Sequence, residues 1–159
     1  MELKFQVQTK IQKPVAEVFD AVYNPKKLSG YFTTGGASAP LDEGTTVMWS
    51  FADFDDGKPF PVFVKQVVPG KLIAFEWAAS EPVDLTDKTV KELPYNTRVE
   101  VHFEALGPSS TLVRIAESGW KETEQGLQAS YGNCGGWMHM ACCMKAYLEH
   151  GINLREGSF

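Results

Sequence analysis

The amino-acid sequence predicts an α+β fold: a curved antiparallel sheet over one long C-terminal helix, with two short helices after the first strand. Three observations carry this expectation. Apolar residues recur at every second position in several separate segments, the pattern of strands with one buried face. The period turns helical twice, briefly from Val15 and then from about Thr123 to His150. A sheet with one apolar face needs a cover, and the C-terminal helix is the only element large enough to supply it.

Taken in order, Leu3, Phe5, Val7 and Ile11 alternate with Glu2, Lys4, Gln6, Gln8 and Lys10 and predict a strand over 3–11. Pro14 suits a first helical turn, where its missing N–H has no bond to lose, and Val15, Val18, Phe19 and Val22 follow at helical spacing. Asn24-Pro25 closes that helix, because the residue before proline is driven out of helical space. A second short helix is expected over 26–31, with Leu28 and Phe32 turned inward. Gly35-Gly36 and Pro40 mark a loop, after which Val47, Trp49 and Phe51 share a strand face. Asp53-Phe54-Asp55-Asp56-Gly57 and Pro69-Gly70 have turn chemistry, and 60–68 between them reads as a strand.

Ile73, Phe75 and Trp77 then alternate with Ala74 and Glu76. The polar stretch 79–94, with Pro82 and Pro94, is expected to be a long loop. Val99, Val101 and Phe103 face one way over 97–104, and Arg98, Glu100, His102 and Glu104 the other. Gly107-Pro108-Ser109-Ser110 turns the chain into a strand with Thr111, Val113 and Ile115 on one face. In the closing helix Leu127, Tyr131, Cys134, Met138, Ala141, Cys142 and Leu148 fall near one stripe, with Trp137 and Met144 beside it and Gly151 as C-cap. Gly126, Gly132, Gly135 and Gly136 interrupt this helix, each at a cost of about 1 kcal/mol against alanine. Either the helix starts late, near Asn133, or the glycines let its backbone approach something closely.

A chain of 159 residues suits one domain, 1–159, with a core that needs neither disulfides nor metals. Its net charge of −5 argues against a general nucleic-acid binder, whose phosphate contacts require a basic face. No stretch approaches the length of a transmembrane helix, so no membrane insertion is expected. The N-terminus lacks the apolar core of a signal peptide. Cys134, Cys142 and Cys143 are odd in number and two are adjacent, which fits free thiols and a cytoplasmic location.

Several stretches resemble one known family. Residues 11–22 resemble its strand-to-helix opening, Val67 to Trp77 its mid-sheet hairpin, and Thr111 to Trp120 its last strand. Gly136-Trp137 followed by Leu148-Glu149-His150-Gly151 resembles its closing helix. The family is that of activator of heat-shock protein 90 ATPase homologues, within the START-like, or SRPBCC, superfamily. The resemblance implies a helix-grip (Bet v 1-like) fold with a cavity between helix and sheet. It implies no single activity, since relatives bind hydrophobic ligands, act as enzymes or assist a chaperone.

The inward faces would assemble Trp49, Phe51, Phe75, Trp77, Val99, Val101, Phe103, Val113 and Ile115 with Tyr131, Cys134, Trp137, Met138 and Ala141 of the helix. Aromatic walls with an adaptable methionine suit a hydrophobic small molecule. The same residues would also serve as a plain packed core. Glu117 continues the inward row of its strand, where it would be an acid, a base or a polar anchor with a raised pKa. At the rim it would instead sit in water or pair with a lysine. No second inward carboxylate supports an acid/base pair.

His139 and Cys143, four apart on a helix, face the same way, but no paired cysteine knuckle accompanies them and no metal is expected. His102 falls on the outer sheet face, away from Cys134, against a cysteine hydrolase. Asp53, Asp55 and Asp56 resemble a calcium loop, but the twelfth position is Val64 rather than glutamate. Phosphate loops and nucleophile elbows are missing, and no cofactor is expected. The leading expectation is a hydrophobic-ligand module. A chaperone-associated module, or an enzyme leaning on Glu117 or Tyr131 with a hydrophobic substrate, are the alternatives.

Overall fold

Each alternating segment forms a strand whose apolar residues fall on one face. The structure, a computed structural model, describes residues 1–81 and 94–159. The elements are β1 (Leu3–Ile11), α1 (Val15–Tyr23), α2 (Pro25–Leu28), β2 (Gly36–Ala37), β3 (Thr46–Ser50), β4 (Phe60–Val68), β5 (Leu72–Ala78), β6 (Asn96–Gly107), β7 (Ser110–Trp120) and α3 (Glu124–His150). The strands make one antiparallel sheet in the order β1-β7-β6-β5-β4-β3-β2. Most of the loop expected over 79–94 lies outside the described residues.

Register lines the inward residues up in rows. Ile73 pairs with Val101, Val101 with Ile115 and Ile115 with Val7, so one row crosses four strands. The next row runs Phe75, Val99, Glu117, Phe5. Glu117 therefore points into the interior among apolar neighbours, and Thr97, opposite Trp77, stands one pleat further along. The outer face carries Arg98, Glu100 and His102; Arg98 forms an ion pair with Glu100, and His102 a hydrogen bond with the same carboxylate.

α3 closes the inner face and packs on β1 and β7. It is continuous from its first turn. Thr123 caps it by accepting a hydrogen bond from the Gly126 N–H at 3.0 Å, and Gly151 ends it in the left-handed conformation, φ 66°. Its glycines do not delay it. Gly126 has a local reason to be glycine, since a Cβ there would lie 2.1 Å from the Lys121 carbonyl oxygen.

The structure corrects three expectations. Gly36 and Ala37 form a short edge strand on β3 rather than a loop. The second helix begins at Pro25, with Asn24 as its cap, and ends at Leu28. Tyr131 and Met138 face away from the sheet, 62% and 38% exposed; α3 buries Ala129, Ser130, Trp137, Met140, Ala141, Cys143 and Met144 instead. The buried stripe is rotated from the one that apolarity predicts, and it mixes small residues such as Ala129 and Ser130 with the large Trp137, Met140 and Met144. Past Gly151 the chain folds back, and Arg155 is bound to Asp53 of the turn after β3.

Candidate functional site

The site is built around one carboxylate. Glu117 is 1% exposed, and four donors converge on it. Oε1 accepts from Trp77 Nε1 at 2.8 Å, Thr97 Oγ1 at 2.6 Å and Asn133 Nδ2 at 3.1 Å. Oε2 accepts from Trp137 Nε1 at 2.8 Å and from Asn133 Nδ2 at 3.2 Å. A carboxylate offers about four lone-pair sites, so these donors spend them. Burial pushes the Glu117 pKa up, and the hydrogen bonds from Thr97, Trp77, Trp137 and Asn133 pull against that rise. The Asn133 side-chain oxygen makes no hydrogen bond among the described residues.

Trp77, Asn133 and Trp137 in turn form part of the wall of a cavity of about 680 Å³. Glu117 stands behind that wall and fixes both indoles by their N–H groups. The rings of Trp77 and Trp137 lie 5.2 Å apart between centroids. Phe32, Phe51 and Phe60 continue the aromatic side, and Gly132, Gly135 and Gly136 of α3 make a face without side chains. A Cβ added at any of these three glycines would meet nothing within 4 Å. Phe54 of the turn after β3 and Arg155, Ser158 and Phe159 of the returning C-terminal segment close the remaining side.

Arg155 donates to Asp53 from Nε at 2.8 Å and from Nη2 at 3.1 Å. Thr34 Oγ1 donates to the same carboxylate at 2.8 Å. Burial pushes the Asp53 pKa up, but the hydrogen bonds from Arg155 and Thr34 outweigh it and hold the group below the ordinary aspartate value.

The residues expected at the site divide into four sets. Phe51, Trp77 and Trp137 line the cavity. Trp49, Phe75, Val101, Phe103, Ile115 and Ala141 are buried in the core beside or behind it. Glu117 lies inward and fully hydrogen-bonded, not at the rim in water. Cys134 is half-buried and is not part of the cavity wall, while Tyr131 and Met138 turn to solvent. His139, which lines the cavity, stands 3.7 Å by Nε2 from Cys143 Sγ. Among the described residues no group of three or more His, Cys, Asp or Glu is placed to hold a metal. Sequence reasoning missed Asn133, the glycine face and the returning segment. The i, i+3, i+4 spacing of Gly132, Gly135 and Gly136 was a signal that could have found the face. Nothing local pointed to Arg155.

A curved antiparallel sheet gripping one long C-terminal helix, with two short helices after the first strand and a cavity between the layers, defines the helix-grip class. Residues 12–149 match the family described as Activator of Hsp90 ATPase homolog 1-like protein, and the chain belongs to that family. Among solved structures, it is similar to an X-ray structure of a protein from Staphylococcus saprophyticus, with 25% identity and a TM-score of 0.72 over 95% of this chain and 96% of that one. It is similar to the Aha1 dimer from Colwellia psychrerythraea, with 19% identity and a TM-score of 0.69 over 93% of this chain and 97% of that one. DynU16, a protein of the dynemicin biosynthetic locus, shares the fold at 22% identity and a TM-score of 0.74. There the match covers 96% of this chain but 49% of the other, about half its length. No curated protein matches the chain significantly. No helix among the described residues is long and apolar enough to cross a membrane.

Proposed function

We propose that this domain binds a hydrophobic small molecule in the cavity between the sheet and the C-terminal helix. The observation that carries the reading is an open volume of about 680 Å³ whose indole wall is pinned from behind by Glu117. Small-molecule sites typically span roughly 300–1,000 Å³, with apolar walls and a few placed polar groups. A core that only needed filling would gain from larger side chains on α3. Three glycines hold that space open instead, at about 1 kcal/mol each in helix stability.

Glu117 acts here as a positioning residue. Its lone pairs are spent on Trp77, Thr97, Asn133 and Trp137, so proton transfer to a ligand would first have to break that network. What the network supplies is preorganisation: rings already held still lose little freedom when a ligand arrives.

The test is to fill the cavity without harming the fold. N-phenyl-1-naphthylamine, an uncharged fluorophore that brightens in apolar surroundings, is the probe. Gly136→Leu places a side chain into open space and removes a helix-weakening glycine, so its unfolding midpoint is expected at or above that of the wild type. Probe affinity is expected to fall tenfold or more, about 1.4 kcal/mol or beyond. A probe that stays dark on the wild-type protein, or that binds Gly136→Leu unchanged, sinks the reading.

A further inference from the structure

Arg155 is 6% exposed and lines the cavity. A guanidinium carries five N–H donors in one plane, arranged as two forks: Nε with Nη2 along its side, and Nη1 with Nη2 at its end. Asp53 fills the side fork. The guanidinium carbon lies over three aromatic rings, 4.8 Å from the Phe159 centroid, 5.0 Å from Phe51 and 5.8 Å from Phe32. Nη1 makes no hydrogen bond among the described residues, which leaves the end fork unspent. Nη1 is not sealed in protein but opens on the space that Arg155 lines. With its side fork paired to Asp53, the donors that Arg155 has left for the cavity are those of the end fork.

We infer that the end fork of Arg155 anchors an oxyanion of the cavity's ligand, so that the occupant is an amphipathic acid. Its ring-sized apolar body would lie against Trp77, Trp137 and the glycine face, and its carboxylate- or sulfonate-type group would meet Arg155. The inference rests on the hydrophobic-ligand reading above and adds the chemistry of one end of the ligand. Two parallel N–H groups match two oxygens of such a group, and hydrogen bonds between ions are about twice as strong as neutral ones. Asp53 is the counterweight. It shares the guanidinium with the ligand, so it limits the anion's affinity while holding the fork in place.

The experiment compares two probes that differ only in the acid: 1-anilinonaphthalene-8-sulfonate and its uncharged parent, N-phenyl-1-naphthylamine. The wild-type protein is expected to bind the sulfonate at least tenfold more tightly. Because Arg155→Gln alone would strand Asp53, the decisive variant is the double change Asp53→Asn with Arg155→Gln, which removes both charges. It is expected to bring the two probes to parity, the sulfonate losing at least tenfold relative to the uncharged probe. Asp53→Asn alone frees the guanidinium and is expected to tighten the sulfonate probe only. A role for Arg155 confined to tethering the chain would instead weaken both probes in that variant.

Equal affinities in the wild type, or a sulfonate preference that survives the double change, overturn the anchor and leave the cavity reading standing. If neither probe binds, the cavity reading falls and the anchor with it.

Discussion

Taking a carboxylate out of water costs several kcal/mol unless its oxygens are met by donors. At Glu117 they are met by two indoles, a hydroxyl and an amide, all from residues that also shape the cavity or its back wall. The pinning is selective: Trp49, in ring contact with Trp77, has a buried indole N–H without a partner among the described residues. Burial still leaves the Glu117 pKa above the ordinary glutamate value. The native state therefore holds this proton more tightly than the unfolded chain does. The stability that follows is complete below the ordinary pKa and is lost as pH rises through the raised one. Glu117→Gln does not titrate, so the stability difference between wild type and variant should move in the variant's favour as pH rises from about 4. Urea midpoints of both proteins measured across that range decide it, and a constant difference would mean that Glu117 titrates as it does in the unfolded chain. The two-residue period of Thr111, Val113 and Ile115 offered the inward direction of Glu117 as one of two readings, the other being a place at the rim, because the period does not say where the buried part of the strand ends. Its partners were not legible, because Thr97, Trp77 and Asn133 reach it from three other elements.

At the scale of elements, α3 holds the clearest contrasts. Its glycines look alike in sequence but occupy different surroundings. Gly132 and Gly135 face open space, where alanine removes backbone freedom from the unfolded chain at no steric cost. Gly132→Ala and Gly135→Ala should each add about 1 kcal/mol of stability. Gly126→Ala should subtract about 1–3 kcal/mol, because its methyl group would meet the Lys121 carbonyl oxygen, part of a backbone that cannot swing aside. Chemical denaturation of the three variants separates the cases, and the same sign for all three would refute the assignment. The end of this helix was legible at Gly151, because capping chemistry is local, whereas in sequence the glycines that weaken its first half leave its start open between Thr123 and Asn133. Its rotation was not legible. Tyr131 and Met138 suggested one stripe by apolarity, but the sheet contacts favour Ser130, Asn133, Trp137 and Ala141, where small and hydrogen-bonding side chains meet Glu117 and the core.

Across the whole molecule, the ends of the chain decide the architecture. β1 pairs along its length with β7 and lies under α3, so the first strand finds its place only when the last elements are present. Sheets dominated by such distant pairings close large loops before contacts repay the entropy, and they fold in about milliseconds to seconds rather than microseconds. Refolding after dilution from urea, followed by far-ultraviolet circular dichroism in a stopped-flow instrument, is expected in that slow range. A microsecond phase with full amplitude would contradict the topology. The strand sequence and the covering helix were legible because alternation records which face is buried. The closing of the cavity by Arg155 and Phe159 was not, since the approach of the last residues to the turn after β3 leaves no mark in local sequence.

The three touching indoles have one more consequence. Trp77 lies 5.2 Å from Trp137 and 6.1 Å from Trp49 between ring centroids. Chromophores that close share their electronic excitations, and two of these carry a carboxylate at the N–H end of the transition that governs their emission. The wall of the cavity is thus also its spectrometer. Any occupant that shifts a ring or disturbs Glu117 writes itself into the near-ultraviolet dichroism and emission colour of the unlabelled protein, without the occupant needing to be coloured at all.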